Sequence, residues 1–397
     1  MTRPRQTTIS REGWYYLVVL ALVLGGAMLR EVNLLLVLAG MLAGPLLLSW
    51  RAVGRTLRGL QVQRHVPQGV CAGDLLVAQL TLTNTRRRFG TWGVVVEEQI
   101  QREADGQPAN QPRETPIRPG VLFPYVAAGE SRAGVYRGRL AQRGRYCLGP
   151  LRLSTRFPFG LFSRAITFGQ SDTLVVLPRL GRLTRHWAAR RRRSLAGTHR
   201  RERRHGPEGD FYGVRPWRSG DSRRWIHWRT SARVGELVVR QFEQPRNRDL
   251  AVLVDLWQPE QPAEEHLENV ELAVSFAATV VADLCRQGES SVWLGTTGKP
   301  SESLRGSASV PLLQEALQRL AVAQAHHDDR LPELLARALA DVEPGTEIVL
   351  LATRPTDLSE ASRFGPSLSA PARRALVQNI RCIDTSSDDL AQFYRPE

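Results

Sequence analysis

The residue whose type and setting come closest to chemistry is His227. An imidazole titrates near neutral pH, and with Asp221 and Asp210 it could form an acid/base site. A hydrolase built on His227 and Asp221 also needs a nucleophile, and no Gly-x-Ser-x-Gly segment is present. Ser231 is close in sequence, but one helical turn is not a catalytic geometry. A histidine on a face rich in tryptophan is more often a hydrogen-bonded core residue. Asp255 is the second candidate. It follows the apolar run Leu250–Val254, and open α/β sheets place ligands at the carboxyl ends of such strands. His326-His327-Asp328-Asp329 resembles a metal cluster only superficially, because adjacent histidines point apart on a helix. The run is expected as an exposed turn between helices. No Gly-rich phosphate loop occurs, so the chain is not expected to be an ATPase itself. The cysteines at 71, 147, 285 and 382 fit no zinc or disulfide spacing and are expected as reduced, buried thiols.

His227 and Asp221 belong to the stretch Gly206–Glu243, which concentrates Trp217, Trp225 and Trp228 among Arg215, Arg218, Arg223, Arg224, Arg229 and Arg233. Arg218-Ser-Gly-Asp221 is turn chemistry, with Gly220 tolerating positive φ and Asp221 able to cap a helix after it. Ser222–Ser231 is expected as a short helix, with Trp225 and Trp228 sharing a face and Asp221 as its N-cap. Gly235 ends that helix. Glu236–Phe242 is expected as a strand, with Leu237 and Val239 on one side and Val238 and Phe242 on the other. Arg215, Arg224, Arg233 and Arg240 have Asp210, Asp221, Glu236 and Glu243 as carboxylate partners within the stretch, and guanidinium groups also stack on indoles. Such a network either clamps the stretch in place or shapes a surface for a partner. The division expected is that Trp228 and Asp221 are structural while Arg218 and Arg223 are exposed contact residues.

The run Gly209-Asp-Phe-x-Gly-x-Arg-x-Trp, then Gly220-Asp-x-x-Arg-x-Ile-His-Trp-x-x-Ser-Ala-Arg-x-Gly-x-Leu-x-Val-Arg-x-Phe-Glu243, resembles the signature of the bacterial family called domain of unknown function 58. The likeness covers nearly the whole chain. It implies a membrane hairpin, a β-rich domain, the signature, and a domain related to von Willebrand factor A. It also implies partners: a MoxR-type AAA+ ATPase and, for some members, a transglutaminase-like membrane protein. In von Willebrand A domains the strand-end Asp begins an Asp-x-Ser-x-Ser loop that binds Mg²⁺ through oxygen ligands. Here the loop is Asp255-Leu-Trp-Gln-Pro, so Trp257 and Pro259 stand where the serines would be, and Arg354 would repel a cation. The metal position at Asp255 is therefore expected to be degenerate, with no metal or cofactor.

The rest of the 397 residues supports that order. Residues 1–58 are expected as a transmembrane hairpin, with helices at about 14–29 and 32–50 joined at Arg30-Glu31. Arg3, Arg5 and Arg11 precede it and Arg51, Arg55 and Arg58 come after it, which by the positive-inside rule puts both termini in the cytoplasm of a two-pass inner or plasma membrane protein. Residues 59–178 alternate apolar with polar, as in Leu60–Arg64, Leu75–Thr83 and Gly93–Ile100, and are expected as a β-sandwich. Gly149-Pro150 is expected as a turn between two strands, 101–119 as a long loop, and Phe157-Pro-Phe-Gly-Leu-Phe162 as a strand corner packed in the core rather than an exposed docking patch. The net charge is +15 with a single lysine, Lys299. Much of that charge sits in 179–205, expected as a connector touching anionic lipid. No nucleic-acid motif accompanies it, so nucleic acid is not an expected partner, and an Arg-rich nucleic-acid binder is the outlying alternative. The signature takes 206–247. Residues 248–397 alternate strands (Leu250–Val254, Ser291–Gly295, Glu347–Ala352, Ile380–Ile383) with helices (Glu264–Arg286, Val310–Val322, Leu331–Val342, Pro371–Gln378). That is an α/β domain with a mostly parallel sheet. The whole is expected as a membrane-anchored scaffold or adaptor rather than an enzyme.

Overall fold

The computed structural model describes residues 6–30, 33–67, 69–103, 115–189, 191, 210–243, 249–288, 290–343, 346–358, 380–387 and 389–396. Arg3, Arg5, Glu31, the middle of the 101–119 loop, most of 190–209 and the expected helix 371–378 lie outside them. The chain divides into two compact units, Met1–Pro178 and Arg179–Glu397.

The first unit begins with β1 (Gln6–Ile9), followed by helices α1 (Arg11–Arg30) and α2 (Asn33–Thr56). Both are long and apolar enough to cross a membrane, and little of either is buried within the protein. Trp14, Leu22, Leu36 and Trp50 are exposed. Each helix runs past its apolar span because its end finds hydrogen-bond partners. Ser10 Oγ accepts from Gly13 N at the start of α1, and the Arg86 guanidinium donates to the carbonyls of Arg55 and Thr56 at the end of α2.

Among the described residues, nine strands belong to this unit. After β1 come β2 (Leu60–His65), β3 (Leu75–Asn84), β4 (Thr91–Arg102), β5 (Gly120–Val126), β6 (Ser131–Arg139), β7 (Gly144–Thr155), β8 (Phe162–Phe168) and β9 (Asp172–Val176). One sheet has the order β2-β3-β6. The other runs β1-β8-β7-β4-β5, with β9 also on β7. These strand pairings are all antiparallel. The two sheets share one core, in which Leu76, Leu80 and Leu82 meet Val94, Val96, Leu151 and Leu153. Strand alternation also carries Glu98 inward, between Val96 and Ile100. There Arg64 Nε lies 2.9 Å from Glu98 Oε1, and the Tyr136 hydroxyl donates to Glu98 Oε2 at 2.5 Å. The trio joins the two sheets through a buried charge pair.

Three expectations need correcting in this unit. Gly149-Pro150 is not a turn, because β7 runs through it. The register of β4 on β7 slips between Glu98 and Ile100, and Gly149 takes φ +123° where a Cβ would sit 2.4 Å from Gln170 O. The Phe157–Phe162 segment is not a packed corner, since Phe157 and Phe159 are exposed and only Leu161 is buried. Among the thiols Cys382, in the second unit, is exposed and the others are half-buried.

The second unit opens inside the Arg-rich stretch. There β10 (Arg182–Leu183) pairs with β18 (Tyr394–Arg395). Trp187 is buried, edge-on to Phe276 at 5.4 Å between ring centroids. Residues 179–187 therefore pack within this unit instead of serving as a free connector. Next come β11 (Asp210–Pro216), helix α3 (Trp228–Val234) and β12 (Val238–Glu243). A mixed five-stranded sheet comes after them, formed by β13 (Leu250–Asp255), β14 (Ser291–Thr296), β15 (Ser303–Ser307), β16 (Glu347–Ala352) and β17 (Ile380–Asp384) in the order β15-β14-β13-β16-β17. Strands β14, β13, β16 and β17 are mutually parallel, and β15, which the alternation of the sequence did not signal, is antiparallel at the edge. The central β13 is buried along its whole length, as its unbroken apolar sequence requires. Helix α4 (Glu264–Gln287) packs with Ala273, Val274, Ala277 and Val281 buried. Helices α5 (Val310–Val322), α6 (Leu331–Asp341) and α7 (Asp389–Phe393) lie further along the chain.

Candidate functional site

The signature folds as an antiparallel hairpin of β11 and β12 whose long connection holds α3. The register runs from Asp210 opposite Glu243 to Pro216 opposite Val238, with a bulge between Phe211 and Gly213. Trp217 N donates to Leu237 O and extends the pairing by one step. The chain then reverses at Arg218–Asp221, where Asp221 N donates to Arg218 O and Gly220 has φ +104°. Asp221 is held from two directions. Arg215 makes a bidentate pair with it, Nη1 to Oδ2 and Nη2 to Oδ1, both at 2.7 Å. Arg218 N donates to Oδ2 at 2.8 Å. The carboxylate raises the Arg215 pKa further, so the guanidinium stays charged.

The expected single helix over 222–231 is instead two pieces. A 3₁₀ turn covers Arg223–Trp225, and α3 starts only at Trp228. Ile226 breaks them apart: it is extended, buried, and bridges Val239 of β12, and His227 N donates to Val238 O at 2.8 Å. Trp225 and Trp228 consequently do not share a helix face. The N-cap of α3 is His227, whose Nδ1 accepts from Thr230 N at 3.2 Å and lies 2.7 Å from Thr230 Oγ1. Asp221 does not cap the helix as expected; it is held by Arg215 and by Arg218 N. Ser231 is buried and accepts from Val238 N at 2.9 Å, tying α3 to β12. Gly235 closes α3 in the left-handed region at φ +80°.

Trp228 is 66% exposed, so its expected structural role is reversed. Val234 and Leu237 are exposed as well, and Val238 and Val239 are both buried, which overturns the simple alternation expected there. Arg218, Arg223, Arg224, Arg229, Arg233 and Arg240 are all exposed. Among the described residues Arg224, Arg233 and Arg240 form no ion pair. The side chains of Asp210 and Glu243 lie outside what the structure describes. The hairpin thus presents one large indole, the aliphatic side chains of Val214, Val234 and Leu237, and a set of guanidinium groups to solvent. His227 and Asp221 are each committed to the hydrogen bonds that shape the connection.

The carboxyl edge of the sheet is the second arrangement. Asp255 is fully buried. Thr297 Oγ1 donates to its Oδ1 at 3.0 Å, and Arg354 Nη2 lies 3.6 Å from its Oδ2. Arg354 also pairs with Asp329 at 2.6 Å and stacks over the Trp257 ring at 4.6 Å. Trp257 Nε1 donates to His327 O, and Trp257 bridges His326. The expectation that 326–329 is simply an exposed turn fails at both ends. His326 is 3% exposed and burial lowers its pKa, so the ring is neutral, while Asp329 reaches Arg354. Among the described residues no group of His, Cys, Asp and Glu could hold a metal ion. A guanidinium provides the positive charge at this edge. The sequence already set Arg354 against a cation at the Asp255 position, but nothing in it signals Asp329, which only the fold brings to the same guanidinium.

A family model described as "Protein of unknown function DUF58" matches residues 213–345. The chain is 22% identical over 320 residues to the Uncharacterized protein YeaD of Bacillus subtilis, covering 78% of this chain and 74% of that protein. Solved structures align only loosely. The C-terminal domain of wzt is 12% identical, covers 30% of this chain and 73% of its own, and has a TM-score of 0.22. The Pseudomonas fluorescens alkylpurine DNA glycosylase AlkC is 16% identical, covers 42% of this chain and 43% of its own, and has a TM-score of 0.21. Likenesses at that level carry no argument.

Proposed function

With a DUF58 domain at residues 213–345 as the premise, we propose that the chain is a membrane-anchored, cytoplasm-facing scaffold that binds protein partners through its signature hairpin. The observation that carries this is the exposure of Trp228 in a segment studded with exposed Arg218, Arg223, Arg224, Arg229 and Arg233. Tryptophan and arginine are the residue types that most often dominate protein interfaces. Exposed guanidinium groups favour an acidic partner face. The family resemblance nominates a MoxR-type AAA+ ATPase as that partner and the maturation of other proteins as the task, with a transglutaminase-like membrane protein as a further associate. The α/β sheet is read as von Willebrand A-like. The Mg²⁺ such domains carry does not fit these residues, because Trp257 and Pro259 supply no oxygen ligand and Arg354 already brings a cation to Asp255.

The test is capture of a MoxR-type ATPase by the full-length chain in detergent. Trp228→Ala combined with Arg218→Glu and Arg223→Glu is expected to weaken capture about 30-fold or more, with the melting temperature unchanged because all three side chains are exposed. Undiminished capture, or unfolding of the variant, overturns this assignment of the surface. Turnover of a test substrate that vanishes in His227→Ala would instead favour the hydrolase reading, and a salt-sensitive association with DNA the nucleic-acid one.

Topology gives a second expected result. Arg11, Arg51, Arg55 and Arg58 lie at the outer ends of the hairpin, which supports cytoplasmic termini. A reporter active only in the cytoplasm, fused after Glu397, is expected to be active. Activity of a periplasm-only reporter at the same place contradicts the orientation.

A further inference from the structure

Four large aromatic side chains of the sandwich unit are exposed: Phe89 at 71%, Trp92 at 49%, Phe157 at 37% and Phe159 at 56%. Trp92 stacks with Phe157 at 6.0 Å and packs on Tyr125 at 4.2 Å, so these two of the exposed rings are braced rather than loose. The loops that carry them are bonded to the two ends of the helical hairpin. Ser10, which starts α1, donates from Oγ to the carbonyls of Gly160 and Leu161. Arg86, which caps α2, also donates to Gly90 O, and Thr91 Oγ1 donates to Thr56 O. Phe89 and Trp92 flank that contact on one side, and Phe157 and Phe159 precede the Ser10 contact on the other.

The height of these loops is set by helix geometry. Trp14 lies four residues into the chain after Ser10, and Trp50 six residues before Thr56. At 1.5 Å per residue the loops stand about 6–9 Å beyond the two tryptophans. Exposed tryptophans at the ends of apolar helices mark the membrane–water interface. The headgroup layer extends roughly 5–8 Å beyond the hydrocarbon on each side. Rings of phenyl and indole size projecting from such loops reach that layer. Arg11, Arg51, Arg55, Arg58, Arg87, Arg88 and Arg156 are exposed in the same segments, against a single exposed acidic residue there, Glu12, near Arg11 and Arg156; none lies at 84–93 or 155–161.

We propose that the sandwich docks on the anionic lipid surface through Phe89, Trp92, Phe157 and Phe159, making it a peripheral membrane module in addition to the hairpin that precedes it. Aromatic rings insert at the headgroup level while the surrounding arginines neutralise lipid phosphates. The inference rests on the hairpin being membrane-inserted.

The experiment is photocrosslinking of the full-length chain in vesicles of phosphatidylglycerol and phosphatidylcholine, using a phospholipid with a photoactivatable headgroup and mapping adducts by mass spectrometry. Adducts are expected on peptides spanning 84–93 and 156–161 as well as at the ends of the hairpin. Phe89→Ser with Phe159→Ser is expected to reduce the loop adducts at least about fivefold without moving the melting temperature, since the substituted rings are exposed. Vesicles of phosphatidylcholine alone are expected to reduce them as well. Adducts confined to the ends of the hairpin overturn the docking surface while leaving the anchor in place. The absence of adducts on the hairpin and loops alike overturns the anchor too.

Discussion

Replacing Glu98 by alanine is expected to destabilise the sandwich by about 3–5 kcal/mol, because it leaves the Arg64 guanidinium buried without its partner. The side chains of Arg64 and Glu98 are 3% and 0% exposed, and Arg64 otherwise donates to Leu148 O at 2.8 Å and lies 3.7 Å from the largely exposed carboxylate of Asp172. For a unit of this size the loss corresponds to an earlier melting transition by on the order of 10 °C, read on the full-length chain in detergent. Replacing both partners by aliphatic residues of similar volume should recover much of it. Burial pushes the Glu98 carboxyl above its ordinary value, against the opposing pull of the Tyr136 hydroxyl and Arg64. A raised folded-state pKa means a contribution that is complete below the unfolded value and lost as pH rises through the folded one. The wild type should therefore lose stability over the pH range just above ordinary carboxylate titration, and Glu98→Gln should lack that component. An unchanged melting temperature in Glu98→Ala would show that the pair contributes nothing to the fold.

Glu98 also illustrates what the sequence discloses. Its strand was legible from alternation, and the same alternation places Glu98 on the face of Val94, Val96 and Ile100, so its burial could have been read there. The partner could not, because Arg64 sits on the other sheet and pairwise contacts between sheets leave no local pattern. The apolar helices and β13 were legible because long uniform runs admit few alternatives. The signature was recognisable as a motif, but its local structure was misread. Helical spacing of Trp225 and Trp228 suggested one helix, whereas pairing of Ile226 with Val239, thirteen residues later, interrupts it. β1 escaped notice because four polar-rich residues carry no period worth reading, and only their partner β8 makes them a strand.

Arg354→Ala is expected to be the most damaging single change at the carboxyl edge of the α/β sheet, costing about 3 kcal/mol or more. It strips the fully buried Asp255 of the guanidinium 3.6 Å away and removes the cation stacked on Trp257. Arg354→Lys should recover only part, since an ammonium cannot span Asp255 and Asp329 and lie flat on an indole at once. Asp255→Asn in the Arg354→Ala background should restore part of the stability, because the buried negative charge is then gone. Millimolar Mg²⁺ should leave the wild-type melting temperature where it is, as a ligand that binds the folded state must raise it. A clear Mg²⁺-dependent rise, lost in Asp255→Ala, would sink the view of this edge as guanidinium-filled.

The pairing of β1 with β8 carries a consequence for how the protein is made. The strand lies before the hairpin in the chain and its partner lies after it, with both helices and most of the sandwich synthesised in between. The pairing cannot form until residue 165 has emerged. When the hairpin spans a bilayer, β1 is available only if the first helix has entered with its amino end on the side where the sandwich folds. A molecule whose first helix failed to insert and return as a hairpin would be left with an open edge at β8, and unpaired edges invite association with other chains. Completion of the sheet thus acts as an inspection of insertion, carried out by four residues after the helices have already committed.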